Sequence, residues 1–228
     1  MDRHAGRHCI RDPVFYSILE TSDMINNVLP YLLVPAAFIM GSVPFGIMAS
    51  RAAGVDLQKS GSGNIGATNV LRTVGKWPAV LTLTGDFLKG AAAVFLCRIA
   101  SGGELLEGII VISVVLGHMY SLFLSFKGGK GVATGLGALA VYSWESAVIL
   151  TVVWLFTLFL TRFSSLSAIV AFLSLPVIFI LSDEAFIKIC FAIVLSFLII
   201  LKHRENIKRL LNGTEARVGH REDMVDNG

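Results

Sequence analysis

Charge is scarce in this 228-residue chain: 15% of its residues are charged, against 54% hydrophobic. The apolar residues are not dispersed at helical or strand spacing. They gather into blocks almost free of charge, and a run of about 18 or more such residues reads as a membrane span. Cysteine is scarce as well. Cys9, Cys97 and Cys190 lie far apart, with no CxxC pair and no Cys/His ligand spacing, which excludes a disulfide framework and a zinc site. They read as small apolar side chains in packed helices. No apolar h-region stands near the start. The first 23 residues mix Arg3, Arg7 and Arg11 with Asp2, Asp12, Glu20 and Asp23, so a cleavable signal peptide is not expected. Met24, just before the first apolar block, is the candidate start of translation. On that expectation 1–23 is a polar extension outside the protein made in the cell, and 24–228 is a single membrane domain. Internal repeats, low-complexity segments and long linkers are absent from the sequence. The net charge of +3 is modest, and no nucleic-acid partner is expected.

Seven apolar blocks are present, at about 28–50, 77–100, 105–125, 131–143, 145–161, 165–182 and 185–202. In lipid every backbone N–H and C=O must be paired within its segment, so these blocks are predicted to be helices. The fourth is short. Its residues give roughly 20 Å of helix, less than the ~30 Å hydrocarbon core. It can cross a thinned region, dip in and return, or fuse with the fifth block.

The distribution of lysine and arginine chooses between these. If all seven blocks cross, one side receives Arg51, Lys59, Arg72, Lys76, Lys127, Lys130, Arg162 and the basic tail from Lys202. The connections on the other side, near 101–104, 143–146 and 183–184, hold Glu104, Glu145, Asp183 and Glu184 and no lysine or arginine. If the fourth block does not cross, that pattern reverses through the C-terminal half. The expected fold is therefore an all-α polytopic membrane protein, a seven-helix bundle with its N-terminus outside and its C-terminus cytoplasmic.

That topology gathers three polar segments on the cytoplasmic face: Lys59 to Lys76, Gly117 to Thr134, and Lys202 to Glu215. In the first, Ser60, Gly61, Ser62, Gly63, Asn64, Gly66, Thr68 and Asn69 set glycines among short hydroxyl and amide side chains. Glycine lets an anion approach backbone N–H groups closely, and Arg72 can fork onto phosphate oxygens. The segment also fits GxGxxG, but a dinucleotide site requires a strand before it and a helix after, within a βαβ unit. A tight surface turn is the plainer alternative. In the second segment Lys127, Gly128, Gly129, Lys130 and Gly131 lead into the short fourth block, with Thr134 one turn on. Free N–H groups at a helix start beside two ammonium groups make an anion site, against the simpler role of setting topology. The third opens with His203 and Asn206 on one helical face. His203 suits proton transfer or hydrogen bonding, and Asn206 suits donation to a hydroxyl or phosphate; a basic tail alone more often anchors to anionic lipid. His118 reads as a helix-packing histidine. Asp86 and Lys89, three apart within the second block, are costly in lipid unless paired or turned inward.

The stretches GSVPFG (41–46), SGSGNIGATNVLRTVGK (60–76), GDFLKG (85–90), GHMYSLFLSFKGGKGVATGLG (117–137) and HRENIKRLLNGTE (203–215) resemble the bacterial membrane acyl-phosphate:glycerol-3-phosphate acyltransferase family. The resemblance implies transfer of a fatty acyl group from acyl phosphate to the sn-1 hydroxyl of glycerol 3-phosphate, giving lysophosphatidate and phosphate in phospholipid synthesis. It implies an active site of Ser62, Arg72, the Lys127–Gly131 loop, His203 and Asn206, with no metal or prosthetic group, in a bacterial inner membrane. It also implies a functional link to a soluble enzyme that forms the acyl phosphate. The chemistry agrees. An acyl phosphate carries a stable leaving anion, and the chain has neither a GxSxG elbow nor the HxxxxD motif of acyl-CoA users. The alternative from another class is an anion transporter, disfavoured by polar motifs crowded on one face. Transfer of an activated alcohol phosphate would need a carboxylate cluster for metal, which the sequence does not offer.

Overall fold

The computed structural model describes residues 29–100 and 102–219; the 1–23 extension and Met24 lie outside them. All seven apolar blocks are helical, and no strand occurs among the described residues. The first block is broken into α1 (Leu33–Ser42) and α2 (Phe45–Ala52). The break follows from Pro44, which lacks an N–H and pushes Val43 to extended backbone (φ −60°, ψ 118°). Two carbonyls near the break take side-chain donors instead. Ser121 Oγ donates to Ser42 O at 2.5 Å and Lys89 Nζ to Val43 O at 2.8 Å.

After a short α3 (Ala67–Thr73) come α4 (Lys76–Ile99), α5 (Gly103–Met119) and the short α6 (Val132–Tyr142). Then follow α7 (Trp144–Thr161), α8 (Ser164–Leu181), α9 (Phe186–Lys202) and α10 (Arg204–Leu211). Among the described residues five helical stretches are long and apolar enough to span a bilayer alone, and α9 with α10, bent by 58°, makes a sixth candidate. Pro176 sits inside α8 without ending it. The Phe172 carbonyl four residues back, which a proline cannot serve, accepts from Ser196 Oγ of α9 at 2.5 Å.

Small residues set the closest crossings, as expected where lipid offers no hydrophobic drive between helices. A methyl group on Gly41 would overlap Val114 O, and one on Gly117 would overlap Phe38 O, so α1 and α5 touch backbone to backbone. Gly90 against Thr134 O and Gly137 against Phe87 O do the same for α4 and α6. The short α6 does not fuse with α7, because Ser143 is extended between them. Beyond its far end, Tyr142 OH donates to Glu104 O and Ser143 Oγ to Glu184. Two cations lie near that end, Arg98 and Lys188. Arg98 pairs with Glu107, and Lys188 with Glu184 and Glu104.

Candidate active site

At the opposite end of the bundle the three polar segments meet. Gly61 and Gly63 adopt left-handed backbone (φ 57° and 68°), curling the first segment toward α3. Asn69, 2% exposed, holds that curl. Its amide donates to Ser60 O at 3.1 Å and Asn64 O at 2.9 Å, while its Oδ1 accepts from the Ser62 N–H at 3.0 Å. Asn69 thus shapes the loop, where the sequence pointed to it as a donor for phosphate. Ser60 is likewise used locally, donating to Asp56 O at 2.8 Å. Thr68 bonds Ser164 at the start of α8, 3.0 Å away. Ser62, Gly63, Asn64 and Gly66 remain at the loop surface, and half-buried Arg72 occupies the last turn of α3.

The second segment differs from the expected anion cradle in a specific way. The N–H groups of Gly128 and Gly129 are not free; they donate to Met119 O (3.2 Å) and His118 O (3.0 Å). These glycines are required for contact with the end of α5, since a methyl on Gly128 would overlap the His118 carbonyl. Lys127 is exposed, whereas Lys130 is half-buried. Gly131 caps α6 in left-handed backbone (φ 80°), and Thr134 is fully buried at the α4 crossing.

The third segment turns on His203 at the α9–α10 bend. It is 2% exposed, and its Nδ1 lies 2.7 Å from Ile199 O. A carbonyl only accepts, so Nδ1 carries the proton and Nε2 keeps its lone pair. Past α10, Gly213 (φ 70°) reverses the chain so that Glu215 folds back. Glu215 collects Ser165 Oγ (2.5 Å), Asn206 Nδ2 (2.6 Å) and Arg209 Nε (2.7 Å). The Asn206 side chain is thereby oriented, and its Oδ1 is left buried without a partner. The free atom of Asn206 is an acceptor, not the donor that the sequence suggested.

Charge ties the segments together. Burial pushes Lys130 down to about 8; Glu215 opposes the shift, while Arg209 and Arg72 add to it. Burial lowers His203 to about 4, against the Ile199 bond. Burial alone would raise Glu215, but the bonds from Ser165, Asn206 and Arg209 hold it below the usual carboxylate range. Asn206 and Arg209 therefore bond one carboxylate, Lys130 and His203 feel its charge, and Arg72 acts on Lys130. Sequence reasoning missed Glu215, Arg209 and Ser165. The available signal was the Asn212–Gly213 pair, a turn that returns the following carboxylate to its own helix. Among the described residues no cluster of three or more His, Cys, Asp or Glu side chains is arranged to hold a metal ion.

A bundle of membrane-spanning helices with a cationic, phosphate-suited site at one end is that of an integral membrane enzyme acting on anionic substrates. The family model described as glycerol-3-phosphate acyltransferase matches residues 31–213. The chain is 42% identical over 207 residues to the glycerol-3-phosphate acyltransferase of Bartonella quintana (strain Toulouse), covering 88% of this chain and 97% of that one. It is 46% identical over 184 residues to that of Mesorhizobium japonicum, covering 80% and 92%. Two crystal structures of PlsY (YgiH), an integral membrane glycerol 3-phosphate acyltransferase, share the fold. The glycerol 3-phosphate form gives a TM-score of 0.80 at 42% identity, covering 83% of this chain and 96% of that one. The lysophosphatidic acid form gives 0.77 at 41%, covering 82% and 94%. This chain belongs to the glycerol-3-phosphate acyltransferase family, and it is an integral membrane acyltransferase.

Proposed function

We propose that the protein transfers a fatty acyl group from acyl phosphate to the sn-1 hydroxyl of glycerol 3-phosphate at the cytoplasmic face of a bacterial inner membrane. The observation that carries this reading is the coupling of three distant segments: Asn206 bonds Glu215, whose charge reaches Lys130 and His203, and Arg72 acts in turn on Lys130. Both substrates carry phosphate, and two cations held close together suit two phosphates side by side. The matching protein crystallised in glycerol 3-phosphate and lysophosphatidic acid forms supports the acceptor and the product.

In this mechanism Arg72 and Lys130 bind phosphate oxygens, with Ser62 and the surface atoms of Gly63, Asn64 and Gly66 beside them. Asn206 Oδ1 accepts from an acceptor hydroxyl, satisfying an atom whose isolation costs about 1–3 kcal/mol. His203 Nε2 accepts from the attacking sn-1 hydroxyl and aligns it. The hydroxyl oxygen bonds to the acyl carbon, the acyl–phosphate C–O bond breaks, and phosphate leaves with that electron pair. The proton passes to phosphate. With burial pushing His203 down to about 4 in the free site, a phosphate whose second pKa is about 6 is the stronger base. No acyl-enzyme forms. Proximity and charge neutralisation supply most of the rate.

Arginine and lysine placement supports seven crossings with the C-terminus cytoplasmic, 24–228 forming one domain. Both cations near the opposite end being paired with carboxylates agrees with this orientation. A soluble enzyme that makes acyl phosphate is the metabolic partner.

Purified protein given palmitoyl phosphate should release phosphate only with glycerol 3-phosphate present and yield lysophosphatidate; palmitoyl-CoA should not react. Turnover from the CoA ester alone would overturn the donor, and a trapped acyl-enzyme would overturn direct attack. Arg72→Ala should lower kcat/KM by roughly 10- to 150-fold, the loss of one charge-assisted phosphate contact of about 1.5–3 kcal/mol. Unchanged activity would remove Arg72 from the site. The pH profile follows from Lys130. Its ammonium is the phosphate-binding form, and its depressed pKa means the charge is lost as pH rises through about 8. The kcat/KM should therefore fall above that pH, and Lys130→Arg should remove this limb, because arginine stays protonated.

A further inference from the structure

Among the buried titratable groups that this mechanism leaves unused are Asp86, Lys89 and His118, which are 3%, 6% and 4% exposed. Lys89 Nζ lies 2.7 Å from Asp86 Oδ1 and 2.9 Å from His118 Nδ1, as well as donating to Val43 O. Asp86 Oδ1 faces the ammonium as a charge, without hydrogen-bond geometry. An ammonium only donates, so His118 Nδ1 accepts and the ring is pinned with its Nε2 edge outward. That edge meets the loop. A methyl on Gly129 would overlap His118 Nε2 and stand 3.1 Å from Ile65 Cγ1 of the first segment. The same residue supplies the carbonyl that takes the Gly129 N–H. Stabilising the break in the first block explains the Lys89–Val43 contact but gives no reason for an imidazole. The imidazole is explained by the glycine resting on it.

We propose that Asp86, Lys89 and His118 form a buried clamp in which His118 is a positioning residue, setting the height of the Lys127–Gly131 loop and so the place of Lys130. The proposal builds on the phosphate-binding reading of that loop, and its test includes a readout that does not depend on turnover.

His118→Asn keeps an oxygen for Lys89 but removes the outer ring, while Gly129→Ala adds a methyl where that ring sits. Each alone should raise KM for the phosphate substrates and lower kcat/KM, by roughly tenfold for His118→Asn and on the order of 100-fold for Gly129→Ala. The double variant should be more active than Gly129→Ala alone, because the methyl takes the vacated space; contacting sites of this kind are non-additive. Hydrogen exchange at the Gly128 and Gly129 amides should quicken in His118→Asn and slow again in the double variant. Should His118→Asn fail to fold, Lys89→Arg keeps the charge beside Asp86 while disturbing the bond to Nδ1, and should raise the same KM. Losses that simply multiply, unchanged KM values, or exchange equal to wild type would overturn the clamp. If the wild type shows no turnover, the activity reading fails and exchange alone decides the clamp.

Discussion

Glu215→Ala should cut kcat/KM on the order of 100-fold while the protein still assembles in the membrane. The carboxylate touches neither substrate in the proposed mechanism; it holds what does. Its removal leaves the Asn206 amide and the Ser165 hydroxyl, both in buried residues, without their acceptor. Each such loss costs about 1–3 kcal/mol, and the side chains turn to escape it. Arg209, 39% exposed at its side chain, is re-solvated and contributes less. Glu215→Gln keeps an oxygen for these donors and should fall between alanine and wild type. Both variants carry a second signature. The Glu215 charge raises Lys130, so without it the fall in kcat/KM at high pH should begin lower than in the wild type. A pH–rate profile of the three proteins checks it, and an unmoved limb would separate Glu215 from Lys130.

Gly128→Ala should be nearly as damaging, for a different reason. The added methyl meets the His118 carbonyl oxygen and, at 2.9 Å, the Met119 carbonyl, atoms of backbone that cannot swing aside. The loop must move instead, and Lys130 lies two residues on. A displacement of about 1 Å in a reacting geometry costs on the order of 100-fold. Gly54→Ala serves as the control. Gly54 has positive φ (74°), unlike Gly128, but nothing lies within 4 Å of the added methyl. It should pay only local backbone strain and retain kcat/KM. Equal losses in the two variants would mean that collision with the end of α5 is not what lowers activity.

The helices and their ends were legible because lipid leaves the backbone no choice. Apolar blocks without charge must pair their own N–H and C=O groups, and each block did become helix. The first block was read as one span, and the structure breaks it at Val43–Pro44; what satisfies the freed carbonyls was not readable either. Ser121 and Lys89 come from elsewhere in the sequence. The short fourth block could be measured from sequence, but its separation from the fifth depended on Ser143 and its seating on reciprocal contacts of Gly90 and Gly137.

The site divides in the same way. Residue type and clustering pointed to anion binding near Arg72, Lys130, His203 and Asn206, since charge and glycine content are written along the chain. Which atoms remain free to bind was decided only by tertiary structure. Asn69, Ser60, Gly128 and Gly129 were as plausible by type as Ser62, yet their hydrogen bonds close on the protein itself. Glu215 joins its own helix to distant Ser165, and His118 meets Asp86 and Lys89 from another helix; a contact between distant segments leaves no local pattern. The sequence alone determined a helical membrane protein with a cationic end, because solvent and charge act on each segment separately. The division between binding and bracing was settled by folding, because it depends on which donors and acceptors find each other first.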